Sequence, residues 1–160
     1  MRSLVPLLVF AALVAAAAAT GALFTPGPWY ASLERPPLAP PNWIFGPVWT
    51  ALYLAIAVAA YLVWRRREDR PVGPALGLWG TQLVLNALWS WLFFGLQRPG
   101  LALAEILVLL AAILATVVAF GRISRPAAGL LVPYGLWVAF ATYLNAGFWW
   151  LNRGGAGGTP

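Results

Sequence analysis

Amide side chains recur at helical spacing inside otherwise apolar stretches of this chain. Gln82, Asn86 and Ser90 lie at i, i+4 and i+8, and Asn145 follows Trp137 and Ala141 at the same interval. Residues four apart share one face of a helix. Trp89 and Phe93 flank the first face, Tyr134 and Phe148 bracket the second, and Trp49 with Tyr53, one turn apart, supplies a third. Carboxamides among aromatic rings have two uses. They hydrogen-bond between helices, at on the order of 1 kcal/mol per contact in a membrane, or they anchor the polar groups of a ligand in an aromatic-walled cavity. Three such faces can enclose a flat conjugated molecule, because aromatic rings stack in offset geometry. The spacing alone leaves both uses open.

Other chemistries are excluded by composition. The chain has no His and no Cys, which removes thiol catalysis, His-based acid–base work and the usual zinc sites. No metal site is expected. Glu105 is the one acid inside an apolar run. It sits in the first turns of that run, where a carboxylate favours the positive helix end and reaches the interface. Without a second embedded acid, a Lys or a His, ion-coupled transport has little support.

The elements that carry these residues are long. Of 160 residues, 62% are apolar and 9% charged, with a mean hydropathy of +0.80. Soluble proteins are roughly 45–50% apolar and about 25% charged. The chain reads as a multi-pass integral membrane protein, all-α, a single domain over residues 1–152. Five apolar runs, about 3–24, 44–64, 74–95, 100–120 and 126–151, predict a five-transmembrane-helix bundle. Each is long enough, as a helix, to cross a hydrocarbon core of roughly 30 Å. The alternating ten-residue strands of a membrane barrel are not seen. The first run also has the look of a signal peptide, with Arg2 before an Ala-rich stretch, but it is long for one and reads as a retained helix. Pro6, Pro47, Pro74 and Pro126 fall near helix starts, where a missing N–H costs little. Pro133 lies well inside the fifth run and predicts a kink or a loosened turn.

The net charge is +6, from ten Arg and four acids. The arginines stand between apolar runs, so nucleic-acid binding is not expected. Arg2, Arg65, Arg66, Arg67, Arg70, Arg122 and Arg125 share one side; Arg35, Arg98 and Arg153 share the other. The positive-inside rule puts the N-terminus with the seven, in the cytoplasm if the membrane is a plasma membrane. The count fixes relative sides, and inner versus outer bacterial membrane stays open.

Residues 25–42 hold six prolines with Trp29 and Tyr30. So many prolines deny the segment a helix or a central strand. It reads either as an interfacial tether or as a rigid lid over a pocket. Gly73 and Gly77 form a small-xxx-small pair that suits either a dimer face or internal packing. Tyr61 and Arg65 fit a loose sterol-contact pattern that apolar helices match by chance. Residues 153–160 read as a disordered Gly-rich tail.

Three segments resemble one family: Trp29-Tyr30 through Pro36 followed by Pro40-Pro41-Asn-Trp43 to Tyr53; Gln82 to Phe94; and Pro133-Tyr134 to Asn145. In order and spacing, across about residues 18 to 150, they are similar to the tryptophan-rich sensory protein/translocator protein family, also called the peripheral benzodiazepine receptor family. The resemblance implies a five-helix bundle, usually a homodimer, with a pocket between helices capped by the first long loop. It implies porphyrin or haem as ligand, with sterol-like and drug-like molecules as further partners in the lipid bilayer. By motif, Tyr30 and Pro41 would come from the lid, Trp49 and Tyr53 from the second run, Asn86, Trp89 and Phe93 from the third, and Trp137, Ala141 and Asn145 from the fifth. Gly73 and Gly77 would serve the dimer. Function is then sensing or traffic of tetrapyrroles. The alternative is light-dependent porphyrin degradation, with Trp49 and Trp137 as redox groups; a third reading is a scaffold whose pocket is incidental. The sterol motif of mammalian relatives needs a basic residue soon after Tyr143, but here Arg153 comes next. Haem iron would find no His, Cys or internal Met, so tyrosine ligation or stacking alone remains. Arg35 is the expected rim partner for porphyrin carboxylates.

Overall fold

The computed structural model describes residues 4–154. Arg2, the expected first-helix start at Ser3 and tail residues 155–160 lie outside the described residues. No strand occurs among the described residues, and six α-helices follow one another: α1 Val5–Leu23, α2 Pro28–Ser32, α3 Phe45–Trp64, α4 Gly73–Ser90, α5 Pro99–Gly121 and α6 Arg125–Asn152. A 3-10 turn, Asn42–Ile44, leads into α3, and one wide π turn, Trp91–Gly95, extends α4.

Four helices are long and apolar enough to cross a membrane: α1, α3 with its leading turn, α5 and α6. The expected count of five spans is met by length and composition in these four and stops at α4. That helix has 18 residues, but Gly73, Gly77, Gly80, Gln82 and Asn86 dilute its apolar character. The helix count also differs from expectation because the proline-rich loop contains α2. Pro28 stands in the first turn of α2, where its fixed φ starts a helix and its missing N–H is not needed. Proline density therefore limits this helix to five residues without forbidding it. α6 continues through Pro133, which removes one main-chain rung without ending the helix.

In the bundle α5 packs along α6 and α4, α6 along α3, and α1 against α3 and α4. Two apolar cores result. The larger joins Ile56, Ala59, Ala60 and Val63 of α3 to Ile106, Leu109 and Ile113 of α5 and to Leu131 and Val138 of α6. The smaller lies beneath α2 and gathers Tyr30, Leu33, Phe93, Leu144 and Phe148. The outside is apolar too: Leu54, Leu107, Leu114, Val118 and Leu136 are all more than half exposed. In water such a surface would aggregate, whereas in lipid it faces its own solvent. The protein is an integral membrane protein.

Gly73 and Gly77 are exposed, and a Cβ built on either meets nothing within 4 Å. Of the two readings of this pair, internal packing is excluded within one chain.

Candidate functional site

The amides of α4 and α6 converge on tyrosines and on a tryptophan. The Tyr53 hydroxyl donates to Asn86 Oδ1 at 2.9 Å. Asn86 Nδ2 donates to the Tyr134 hydroxyl at 3.2 Å, and that hydroxyl donates to Gln82 Oε1 at 2.7 Å. The chain of bonds thus crosses α3, α4 and α6. A second group sits closer to the proline-rich loop. Trp89 Nε1 donates to Asn145 Oδ1 at 2.9 Å, and Asn145 Nδ2 donates to the Pro99 carbonyl at the start of α5 at 2.7 Å. In the interior of a bilayer an amide has no water to turn to, so each amide is used to hold helices together.

Aromatic rings line both groups. Trp49 stacks on Tyr53 with centroids 5.1 Å apart and meets Tyr134 edge-on at 6.2 Å. Trp89 stacks on Phe93 at 5.2 Å. Tyr30 of α2 is buried against Phe93, Phe94 and Phe148 at 6.3, 5.5 and 5.1 Å. The wide turn after Ser90 is what lets two consecutive residues, Phe93 and Phe94, both face Tyr30. Burial pushes the Tyr30 phenol up from the ordinary tyrosine range, and the Arg35 guanidinium, 5.7 Å from its ring, partly offsets this. The phenol is therefore neutral at physiological pH.

The structure brings most of the expected site residues together and leaves others apart. Trp49, Tyr53 and Asn86 form one contiguous set, and Tyr30, Trp89, Phe93 and Asn145 another, with Trp89 packed against both cores. Trp137 is half-buried against Phe45 and Phe140, and Ala141 packs on the larger core. Pro41 is exposed, and its carbonyl accepts from the Ile44 amide. Ser90 departs from the Gln82–Asn86 set: a Cβ on Gly21 would lie 3.5 Å from its hydroxyl, so it faces α1. Arg35 spends one guanidinium nitrogen inside its own loop, on the Pro40 carbonyl at 3.0 Å.

Glu105 overturns the interfacial reading. It is 9% exposed, and both carboxyl oxygens are buried without a hydrogen-bond partner, as is Gln82 Nε2. Its side chain turns into the bundle because α5 is flanked by α4 and α6 at that level. A buried polar group without a partner costs about 1–3 kcal/mol. Glu105→Met should therefore stabilise the folded protein by about that amount, read as a higher Tm in detergent. A Tm lowered by several degrees would mean that the carboxyl has a partner.

Sequence reasoning quoted Tyr134 without placing it in the site, although its hydroxyl is the hub of the α3–α4–α6 network. It missed the latch between the proline-rich loop and α6 altogether. The Glu34 amide donates to Asn152 Oδ1 at 2.9 Å, Asn152 Nδ2 donates back to the Glu34 carbonyl at 3.1 Å, and the Tyr143 hydroxyl donates to the Pro37 carbonyl at 3.0 Å. Pro36 is buried against Gly147. A glycine amid large residues near the end of α6 was the one available signal. Among the described residues no group of three or more His, Cys, Asp or Glu could hold a metal.

Residues 9–151 match the model of the TspO/MBR family. The chain is 44% identical over 133 residues to the translocator protein of Homo sapiens, covering 81% of this chain and 78% of that protein. It is 43% identical over 132 residues to the tryptophan-rich protein TspO of Chlorobaculum tepidum, covering 78% and 82%. It is 40% identical over 138 residues to the tryptophan-rich sensory protein of Cereibacter sphaeroides, covering 86% and 85%.

Proposed function

The chain belongs to the TspO/MBR family, and from that premise we propose that it is a membrane receptor or transport-type protein. It binds porphyrins, haem and related flat apolar ligands between its helices, in tetrapyrrole sensing or traffic. One observation carries the reading: aromatic faces from α3, α4 and α6 and from the lid are held in register by amide–phenol bonds, beneath a lid latched to α6. Ligand-contact roles fall to Tyr30, Trp49, Tyr53, Asn86, Trp89, Phe93, Trp137, Ala141 and Asn145, with Pro41 at the rim of the lid. In this reading residues 1–152 are one domain, residues 25–42 its lid, and α4 is the fifth span. At about 1.5 Å per residue α4 covers roughly 27 Å, and its wide turn takes it to the thickness of a hydrocarbon core of roughly 30 Å. Gly73 and Gly77 face outward and supply a homodimer contact.

Haem enters as ligand and not as resident cofactor. The phenols nearest the rings, Tyr53 and Tyr134, are committed to amides, so stacking dominates over ligation to iron. Titration of the detergent-solubilised protein with protoporphyrin IX in the dark should quench tryptophan fluorescence saturably at micromolar ligand. Absence of saturation at that concentration removes the tetrapyrrole reading. Half-burial of Trp49 and Trp137, on facing helices, keeps the light-dependent degradative reading in view. Under illumination, that reading requires protein-dependent loss of the porphyrin band, reduced in the Trp49→Phe/Trp137→Phe double variant. An unchanged product yield in that variant ends any role for these two rings.

A further inference from the structure

At the end of the bundle away from the lid, the turn after α3 and the start of α6 border an open cavity of about 380 Å³. Arg65, Arg66 and Arg125 line it, with Ser124, Leu62 and a single acid, Asp69. The one ion pair among the described residues is Arg67–Glu68, so none of these three arginines has a carboxylate within bonding distance. The Arg65 guanidinium is 5.9 Å from the Tyr61 ring. The walls are held in place by Arg70, which donates to the Arg122 carbonyl at 2.7 Å and ties the α3–α4 connection to the end of α5. Ser124, also in the lining, makes no side-chain cap to α6, and the Arg125 amide of the first turn has no main-chain acceptor. Charge bias explains why arginines lie on this side of the membrane. It does not explain why three of them, from two connections about 60 residues apart in sequence, line one cavity.

We propose that this cavity binds a phosphate group, presented by the headgroup of an anionic lipid in the adjoining leaflet. Guanidinium groups suit phosphate through paired N–H donors, and basic pockets between spanning helices at this depth take anionic headgroups. The site is separate from the pocket beneath the lid and does not depend on what that pocket holds.

The test is native mass spectrometry of the full chain in detergent. The chain is exposed to equal amounts of phosphatidylglycerol and phosphatidylcholine with the same acyl chains. Wild type should retain phosphatidylglycerol over phosphatidylcholine by about tenfold. The Arg65→Gln/Arg66→Gln/Arg125→Gln variant should fall to parity, while Arg98→Gln/Arg153→Gln, changed on the other side, should keep the preference. Parity in wild type overturns the proposal, and that measurement does not depend on the triple variant folding. Equal loss in both variants also overturns it, because the preference would then be a property of total charge. Submillimolar inorganic phosphate binding, without lipid preference and lost in the triple variant, would overturn the lipid source and assign the cavity to a soluble phosphate.

Discussion

Asn145→Leu is expected to destabilise the folded protein by about 2 kcal/mol. Interhelical hydrogen bonds in membranes average only about 0.6 kcal/mol in double-mutant cycles, so a single lost bond would hardly register. Asn145 differs because it is 1% exposed and has two partners, one of which it strands. Trp89 Nε1 loses its acceptor in a leucine-sized space that admits no replacement, and the Pro99 carbonyl, the first of α5, loses its second donor. The stranded indole N–H costs about 1 kcal/mol or more, and the lost carbonyl bond about 1 kcal/mol. Unfolding in detergent, followed by tryptophan fluorescence, measures the loss. In a Trp89→Phe background the stranded group is already gone, and the same substitution should cost about half as much. Equal costs in the two backgrounds would show that the Trp89–Asn145 bond carries no energy. On the proposed ligand reading, the released Trp89 ring also loses its stack on Phe93, and protoporphyrin affinity should fall with stability.

Gly147→Ala should loosen the lid, although glycine to alanine inside a helix ordinarily stabilises by roughly 0.5–1 kcal/mol. The sign reverses because a Cβ at Gly147 would lie 2.5 Å from Pro36 Cβ and 3.0 Å from Pro36 Cγ. A proline ring cannot rotate out of the way, so the lid backbone must move. Movement there strains the Asn152–Glu34 pair and the Tyr143–Pro37 bond on either side. The Glu34 amide, which donates to Asn152, is the reporter, and its hydrogen exchange should quicken by about tenfold, the equivalent of roughly 1.4 kcal/mol. Gly129→Ala is the control: nothing lies within 4 Å of its Cβ, and it should leave the Glu34 exchange unchanged. Unaltered exchange in Gly147→Ala would mean that the lid is not seated on α6 at this point.

Both substitutions act at contacts that link distant parts of the chain, and this separates what each level of description could decide. Arginine-bearing connections and uninterrupted apolar runs located the long helices within a few residues, because the bilayer sets their length and excludes charge from their interiors. The i, i+4 spacing put Gln82 with Asn86, and Trp89 with Phe93, because helical geometry fixes such pairs locally. The three aromatic–amide motifs were enough to place the chain in its family. The same periodicity misplaced Ser90, since sharing a helix face does not name the neighbour, and Ser90 meets α1 near Gly21. Glu105 was misjudged for a related reason. In a membrane both faces of a helix are apolar, so no contrast in the sequence of α5 marks which face turns inward. The lid latch depends on bonds spanning 106 and 118 residues, and no local rule reaches that far. Sequence by itself determined a helical membrane protein, its punctuation and the amide and aromatic residues set among its apolar runs. Only the tertiary structure decided which amides bond to which rings and what holds the lid, because those choices are made by packing between helices whose surfaces look alike in sequence.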